Sequence, residues 1–276
     1  MDTGTGSPSV VVVGRSGFIA RGLGSVAAAG GWRFASHDRP DALEGAECVV
    51  NCALPPAERT GDVETENLFD VRLARAASRM GARYVMLSSR KVYDATRQAG
   101  AGEDAPTGPS DAYGRNKLRA ERAVLDIMGG RATVLRLANV IGWEPGRRSF
   151  MGMMLSGLGR EGRVTLDVSP FVRRDFLPVE SVAGIIADLV VRETGGILNV
   201  GSGIGTPVGH VALWLMEGAG RGELVVTSPF ERDGFHLDVA RLAGHLGRDP
   251  AALDLAEYCR ALGRRLGTKG NRVAVE

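Results

Sequence analysis

Lysine is nearly missing from this chain. Of 34 basic residues only three are lysines, Lys91, Lys117 and Lys269; the rest are arginines. Arginine and lysine are not interchangeable, so a lysine kept where arginine is the habit marks a position that needs a compact ammonium. Cysteine is scarce as well. Cys48, Cys52 and Cys259 are odd in number and lack metal-ligand spacing, which predicts reduced thiols and no disulfide framework. Four scattered histidines give no zinc pattern, so no metal site is expected. No apolar run approaches the roughly 20 residues that span a bilayer. The opening "MDTGTGSPSV" has neither a basic region nor an apolar one, so it does not read as a signal peptide. A formal net charge of +2 with no basic face or tail speaks against nucleic acid and membrane surfaces as partners. The composition predicts a cytoplasmic protein.

What is present is 276 residues, 44% hydrophobic, enough for one large core or two intimate lobes. Apolar runs recur: "SVVVV" from Ser9, "WRFAS", "ECVVNCA", "RYVML", "ATVLRLA" and "GILNVGS". They are continuous rather than alternating, and helical patterns separate them. That predicts a parallel sheet covered on both faces, an α/β doubly wound fold. Helices are expected from about Asn67 to Met80 and from about Ala112 to Met128, and "DFLPVESVAGIIADLVV" reads as a strand edge followed by a helix. The pattern loosens after Gly142. We expect a dinucleotide-binding Rossmann unit over 1–142, to which 176–200 returns. A smaller substrate lobe is expected from 143–175 and 201–276, with the site in the crevice between them.

The first strand runs into "GRSGFIA". Gly14 permits a tight turn, and Gly17 lets backbone approach a pyrophosphate at a helix N-terminus. Ala20 is small enough for helix to pack on strand. Arg15, Ser16, Phe18 and Ile19 complete the turn. Asp38 follows 24 residues after Gly14, where a carboxylate can bind the adenosine ribose of NAD. Arg15 and Arg39 could instead meet the 2′-phosphate of NADP. The residues leave both cofactors open.

"YGRNK" places Tyr113 and Lys117 four apart, on one face of a helix. A phenol titrates near 10 and is a poor proton carrier at neutral pH; a neighbouring ammonium stabilises the phenolate and lowers that value. In "SSRKVYD" two serines end a strand, at the edge where parallel sheets bind ligands. A hydroxyl there can hydrogen-bond a carbonyl oxygen, although serines also end strands as ordinary turn residues. Arg90 and Lys91 read most simply as a solvated strand end.

In order, "GRSGFIA", "SSRKVYD", "YGRNK", "LRLANVIG", "RRDFLPVESVA" and "LNVGSG" resemble the extended short-chain dehydrogenases/reductases, the nucleotide-sugar epimerase/dehydratase/reductase superfamily. The resemblance covers about Ser9 to Gly203 well and the remainder loosely, through "FHLDVARLAGHLG". It implies Tyr113 as general acid/base, Lys117 as its partner and a ligand of the cofactor ribose, and Ser89 as the hydroxyl that orients the carbonyl. It also implies Ala53 and Asn67 at the cofactor, and Asn139 and Arg174 near sugar and diphosphate. Dehydratases of this superfamily carry an Asp-Glu pair after the serine position, where Arg90 and Lys91 stand here. The resemblance therefore implies an NAD(P)H-dependent ketoreductase for a nucleotide-linked deoxysugar. A 4-epimerase with tightly held NAD and a non-catalytic NADP-binding protein are the alternatives. It further implies an isologous homodimer. The Gly-, Ala- and Arg-rich composition adds a hint of secondary-metabolite sugar biosynthesis.

Overall fold

Four valines open the structure as β1 (Val10–Val13), every one of them buried. Val10 and Val12 enter one hydrophobic cluster, Val11 and Val13 another. Successive side chains of a strand point to opposite faces, so an all-apolar strand needs cover on both. The computed structural model describes residues 9–26, 31–36, 40–96 and 98–270; Asp38 and Arg39 lie outside them.

β1 leads into α1 (Phe18–Val26), β2 (Arg33–Ala35), β3 (Cys48–Asn51), the single turn α2 (Ala57–Thr60) and α3 (Phe69–Arg79). Then come β4 (Arg83–Ser89), β5 (Ala99–Ala101), α4 (Ala112–Met128), β6 (Ala132–Leu137), β7 (Asn139–Ile141), α5 (Phe150–Glu161) and β8 (Arg163–Leu166). β9 (Arg173–Pro178), α6 (Val179–Val191), β10 (Gly196–Val200), β11 (Gly205–Pro207), α7 (Val208–Ala219) and β12 (Glu223–Val226) follow, and β13 (His236–Leu237), α8 (Ala240–Leu246) and α9 (Leu255–Gly270) complete the order.

The main sheet has six strands in the order β10-β6-β4-β3-β1-β2, parallel throughout. Chain order reverses between β1 and β3, which makes the crevice at their carboxyl ends the expected binding point of a doubly wound sheet. Leu23 of α1, Val182, Ile185 and Ile186 of α6, and Leu242 of α8 cover one face. Val71 and Ala74 of α3 and Ala120 and Val124 of α4 cover the other. Each buried valine of β1 contributes roughly 1.5–3 kcal/mol. A third cluster, with Met151, Leu155, Val164, Val211, Leu215 and Leu262, forms the core beside β7, β8 and β9.

Two local readings need correction. The helix expected from Asn67 begins at Phe69; residues 65–67 form a separate 3₁₀ turn. The boundary is set by Glu58, whose buried carboxylate accepts the Phe69 N–H at 2.7 Å and so closes the helix end from outside. The pair after the serines is not a solvated strand end either. Arg90 is 6% exposed, donates to Gln98 Oε1 at 2.7 Å and Asp233 Oδ1 at 2.6 Å, and lies 3.9 Å over the ring of Phe235. Lys91 pairs with Asp111 at 2.5 Å.

Candidate active site

Gly14 has φ +90°, and a Cβ there would stand 2.7 Å from the backbone nitrogen of Ala53. Only glycine fits this approach of the β1 turn to the loop after β3. Gly14, Ser16, Gly17 and Ala53 line a cavity of about 230 Å³ together with Cys52, Leu54, Pro55, Pro56 and Arg59. The cradle lies at the reversal of strand order and at the N-terminus of α1, the end of a helix that favours an anion. Arg59 is the cavity's cation and escaped the sequence reading, because α2 is a single turn with no pattern of its own. Arg15 is exposed and lines none of this surface.

A second cavity, of about 210 Å³, brings the strand-ending serines and the α4 tyrosine together. Phe18, Ile19, Ser88, Ser89, Tyr113 and Asn139 line it, with Arg147 and Ser149. Tyr113 stands at the second position of α4, whose end Asp111 caps by accepting the Gly114 N–H at 2.8 Å. Gly114 allows α4 to approach the turn after Ser89: a Cβ on it would meet the Lys91 carbonyl oxygen at 2.4 Å. The two serines have different partners. Ser88 donates to Glu121 at 2.5 Å, inside a buried pair between Glu121 and Arg136. Ser89 accepts the Lys91 N–H at 3.3 Å, which leaves its own hydroxyl proton for another acceptor.

Lys117 lies one turn beyond Tyr113 and is 4% exposed. Its Nζ donates to Asp70 Oδ2 at 2.9 Å. Asn116, between them, is buried and structural: its amide donates to the carbonyls of Glu58 and Gly61. Asn67 is exposed and lines neither cavity. Arg174 does not line the second cavity; it sits 5.3 Å over the ring of Phe150, which does, and its Nε donates to the Asp233 carbonyl at 3.0 Å. Asp233 has φ +59° and takes both Arg174 and Arg90 on its carboxylate. Asp175, fully buried, accepts from Ser202, Gly203 and Leu237 and thereby joins "RRDFLP" to "LNVGSG".

The parallel sheet, the glycine cradle at its switch point and the tyrosine-lysine helix beside a strand-ending serine define a Rossmann-type protein of the NAD-dependent epimerase/dehydratase superfamily. Residues 44–194, more than half of the chain, match the family described as the RmlD substrate binding domain, and the chain belongs to that family. A probable dTDP-4,6-dihydroxy-2-methyloxan-3-one 4-ketoreductase of Streptomyces antibioticus is 36% identical over 127 residues, 42% of this chain and 41% of that protein. A UDP-glucose 4-epimerase of Azospirillum brasilense is 30% identical over 172 residues, 54% of this chain and 49% of that protein. The matched stretches thus span less than half of either curated relative. Among solved structures, the NAD-dependent NDP-hexosamine 5,6-dehydratase TunA superposes with a TM-score of 0.80 over 95% of this chain and 98% of its own, at 19% identity. That likeness concerns the fold.

Proposed function

We propose that the protein is an NAD(P)H-dependent ketoreductase acting on a nucleotide-linked deoxysugar, at its 4-keto group. The observation that carries this reading is the cavity shared by Tyr113 and Ser89, with Lys117 one helical turn away. A nicotinamide cofactor held at Gly14, Ser16, Gly17 and Ala53 would supply the hydride for the keto carbon. Tyr113 donates its phenolic proton to the oxygen as that oxygen gains charge. Ser89 donates a hydrogen bond to the same oxygen, stabilising charge that develops only in the transition state. Lys117 favours the phenolate left on Tyr113. Asn139 lines the cavity where the sugar would lie, and Arg174, stacked on the lining residue Phe150, is the cation we assign to the diphosphate.

Dehydration fits poorly. Arg90 is spent on Asp233 and Gln98, and Lys91 on Asp111, so neither is an acid or base for elimination. The reading is tested with 4-deuterated NADH and NADPH and dTDP-4-keto-6-deoxyglucose. Deuterium in the product sugar, with cofactor consumed, is the expected result, and it names the cofactor. An unlabelled sugar and unspent cofactor would remove this ketone from the reading. Of the two curated relatives, the 4-epimerase shares the longer stretch, and it motivates a second reading: epimerisation on tightly held NAD. Stoichiometric NAD in the purified protein would favour it. The same family reading implies a homodimer through α3 and α4, which the mass in solution checks.

A further inference from the structure

One buried ionisable side chain has no part in the reading above. Asp70, in the first turn of α3, is 1% exposed and takes up three donors. Lys117 Nζ reaches its Oδ2 at 2.9 Å; Asn51 Nδ2 and the Tyr84 hydroxyl reach its Oδ1 at 2.7 and 2.9 Å. Asn51, the last residue of β3, uses its own Oδ1 to accept the Ala53 N–H at 2.9 Å. A continuous chain of polar contacts therefore runs from Lys117 through Asp70 and Asn51 to the loop that lines the glycine cradle.

We propose that Asp70 is a positioning residue: it keeps Lys117 an ammonium inside the protein and ties that ammonium to the cofactor loop at Ala53. The part concerning Lys117's charge stands on the contacts alone, and its catalytic consequence rests on the ketoreductase reading. Every element packed around Lys117 bears on the argument. α4 contributes Tyr113, α3 contributes Asp70, α2 contributes Glu58, the loop after β3 contributes Cys52, and Tyr84 of β4 reaches it through Asp70. Burial pushes Lys117 towards losing its proton; the Asp70 carboxylate, and after it Tyr113, outweigh burial and hold it above the usual lysine range. Burial pushes Cys52 up to about 12, with Asp70 adding to the rise. Burial likewise pushes Tyr84 well above its ordinary value, again helped by Asp70. Both stay neutral at working pH. Burial also raises Glu58, against its hydrogen bond from Phe69. Among these groups Asp70 is the one in direct contact with the ammonium.

Removing the Asp70 charge has a definite sign. If Lys117 then sheds its proton at lower pH, the partner of Tyr113 disappears at lower pH. A structural role for Asp70 alone would move rate or stability and leave the charge of Lys117 in place.

The scarcity of lysine makes the charge directly observable. With ¹³Cε-labelled lysine the chain gives three side-chain signals, and Lys117→Met assigns one of them. In the intact protein the Lys117 signal is expected to titrate above the ordinary value of about 10.4. In Asp70→Asn it is expected to titrate roughly one to three pH units lower. Tyr84→Phe, which leaves the Lys117–Asp70 contact in place, is expected to move it far less. An unmoved Lys117 signal in folded Asp70→Asn overturns the proposal, whatever the turnover. A moved signal in a protein that reduces no keto-sugar upholds it and sinks the ketoreductase reading instead. If Asp70→Asn fails to fold, the double variant Asp70→Asn/Lys117→Met, with no buried charge at this spot, is expected to recover the fold. Equal failure of both variants would make Asp70 a packing residue and overturn the proposal.

Discussion

Gly114 follows Tyr113 and has no space for a side chain. A Cβ there would stand 2.4 Å from the carbonyl oxygen of Lys91 and 2.8 Å from Pro109 Cβ. A carbon–oxygen contact settles at about 3.3–3.6 Å, so Gly114→Ala must part α4 from the Arg90–Val92 turn by about 1 Å. The opposing atom is backbone, in a turn that follows Ser89 directly, so it has no rotamer in which to escape. Overpacking of this kind costs about 1–3 kcal/mol. Alanine returns about 1 kcal/mol through its helix propensity, which leaves a net loss of up to about 2 kcal/mol. Activity is the more sensitive measure. The displacement separates Tyr113 from Ser89, and a misplacement of about 1 Å costs on the order of 100-fold in rate. The assay pairs urea denaturation with keto-sugar-dependent oxidation of NAD(P)H. We expect a large fall in kcat and a modest fall in stability. Gly184 is the control. It sits inside α6 with nothing within 4 Å of a Cβ, so Gly184→Ala should gain up to about 1 kcal/mol without a change in rate. Equal rates and stabilities for Gly114→Ala and the native chain would refute the argument that this contact sets the tyrosine.

Two further outcomes follow from buried and capping groups. Burial pushes Cys48 up to about 11, and Cys52 and Cys259 up to about 12, so none is a thiolate at neutral pH. A thiol reagent should label none of them in the folded protein and all three in urea; fast labelling of the folded chain would contradict this. Asp111 is pushed up by burial, but the Lys91 ammonium and the Gly114 N–H outweigh that and hold it below the usual carboxylate range. A depressed carboxylate stabilises the fold above its unfolded value near 3.9 and loses that contribution as pH falls through its folded value. With both partners 41% exposed, solvent limits the effect to less than about 1 kcal/mol. Asp111→Asn should therefore be less stable than the native chain at neutral pH and its equal well below pH 3.9; a gap that persists in acid would count against the pairing.

The elements that sequence reveals here are those whose pattern is local. The buried strands are unbroken apolar runs, and α4 spans the expected Ala112 to Met128 because Asp111 opens it and Gly129, with φ +56°, closes it. The glycine turn is legible for the same reason: its tightness is a property of a few consecutive residues. α5 is hidden by three glycines in "FMGMMLSGLGRE", which depress helix propensity, while its Ser149 cap and the close approaches at Gly152 and Gly157 become meaningful only in three dimensions. β5 and β13 pair over too few residues to leave a period in either segment. Charge is the least legible property. Arg90 and Lys91 look alike in sequence, yet one is buried against Phe235 and the other rests on a helix cap. Asp70 and Lys117 stand 47 residues apart, and nothing in either segment marks them as a pair. Their meeting requires α3 and α4 to lie side by side over one face of the sheet. A tyrosine-lysine spacing can thus be read from one helix, while the groups packed around its lysine are supplied by the fold.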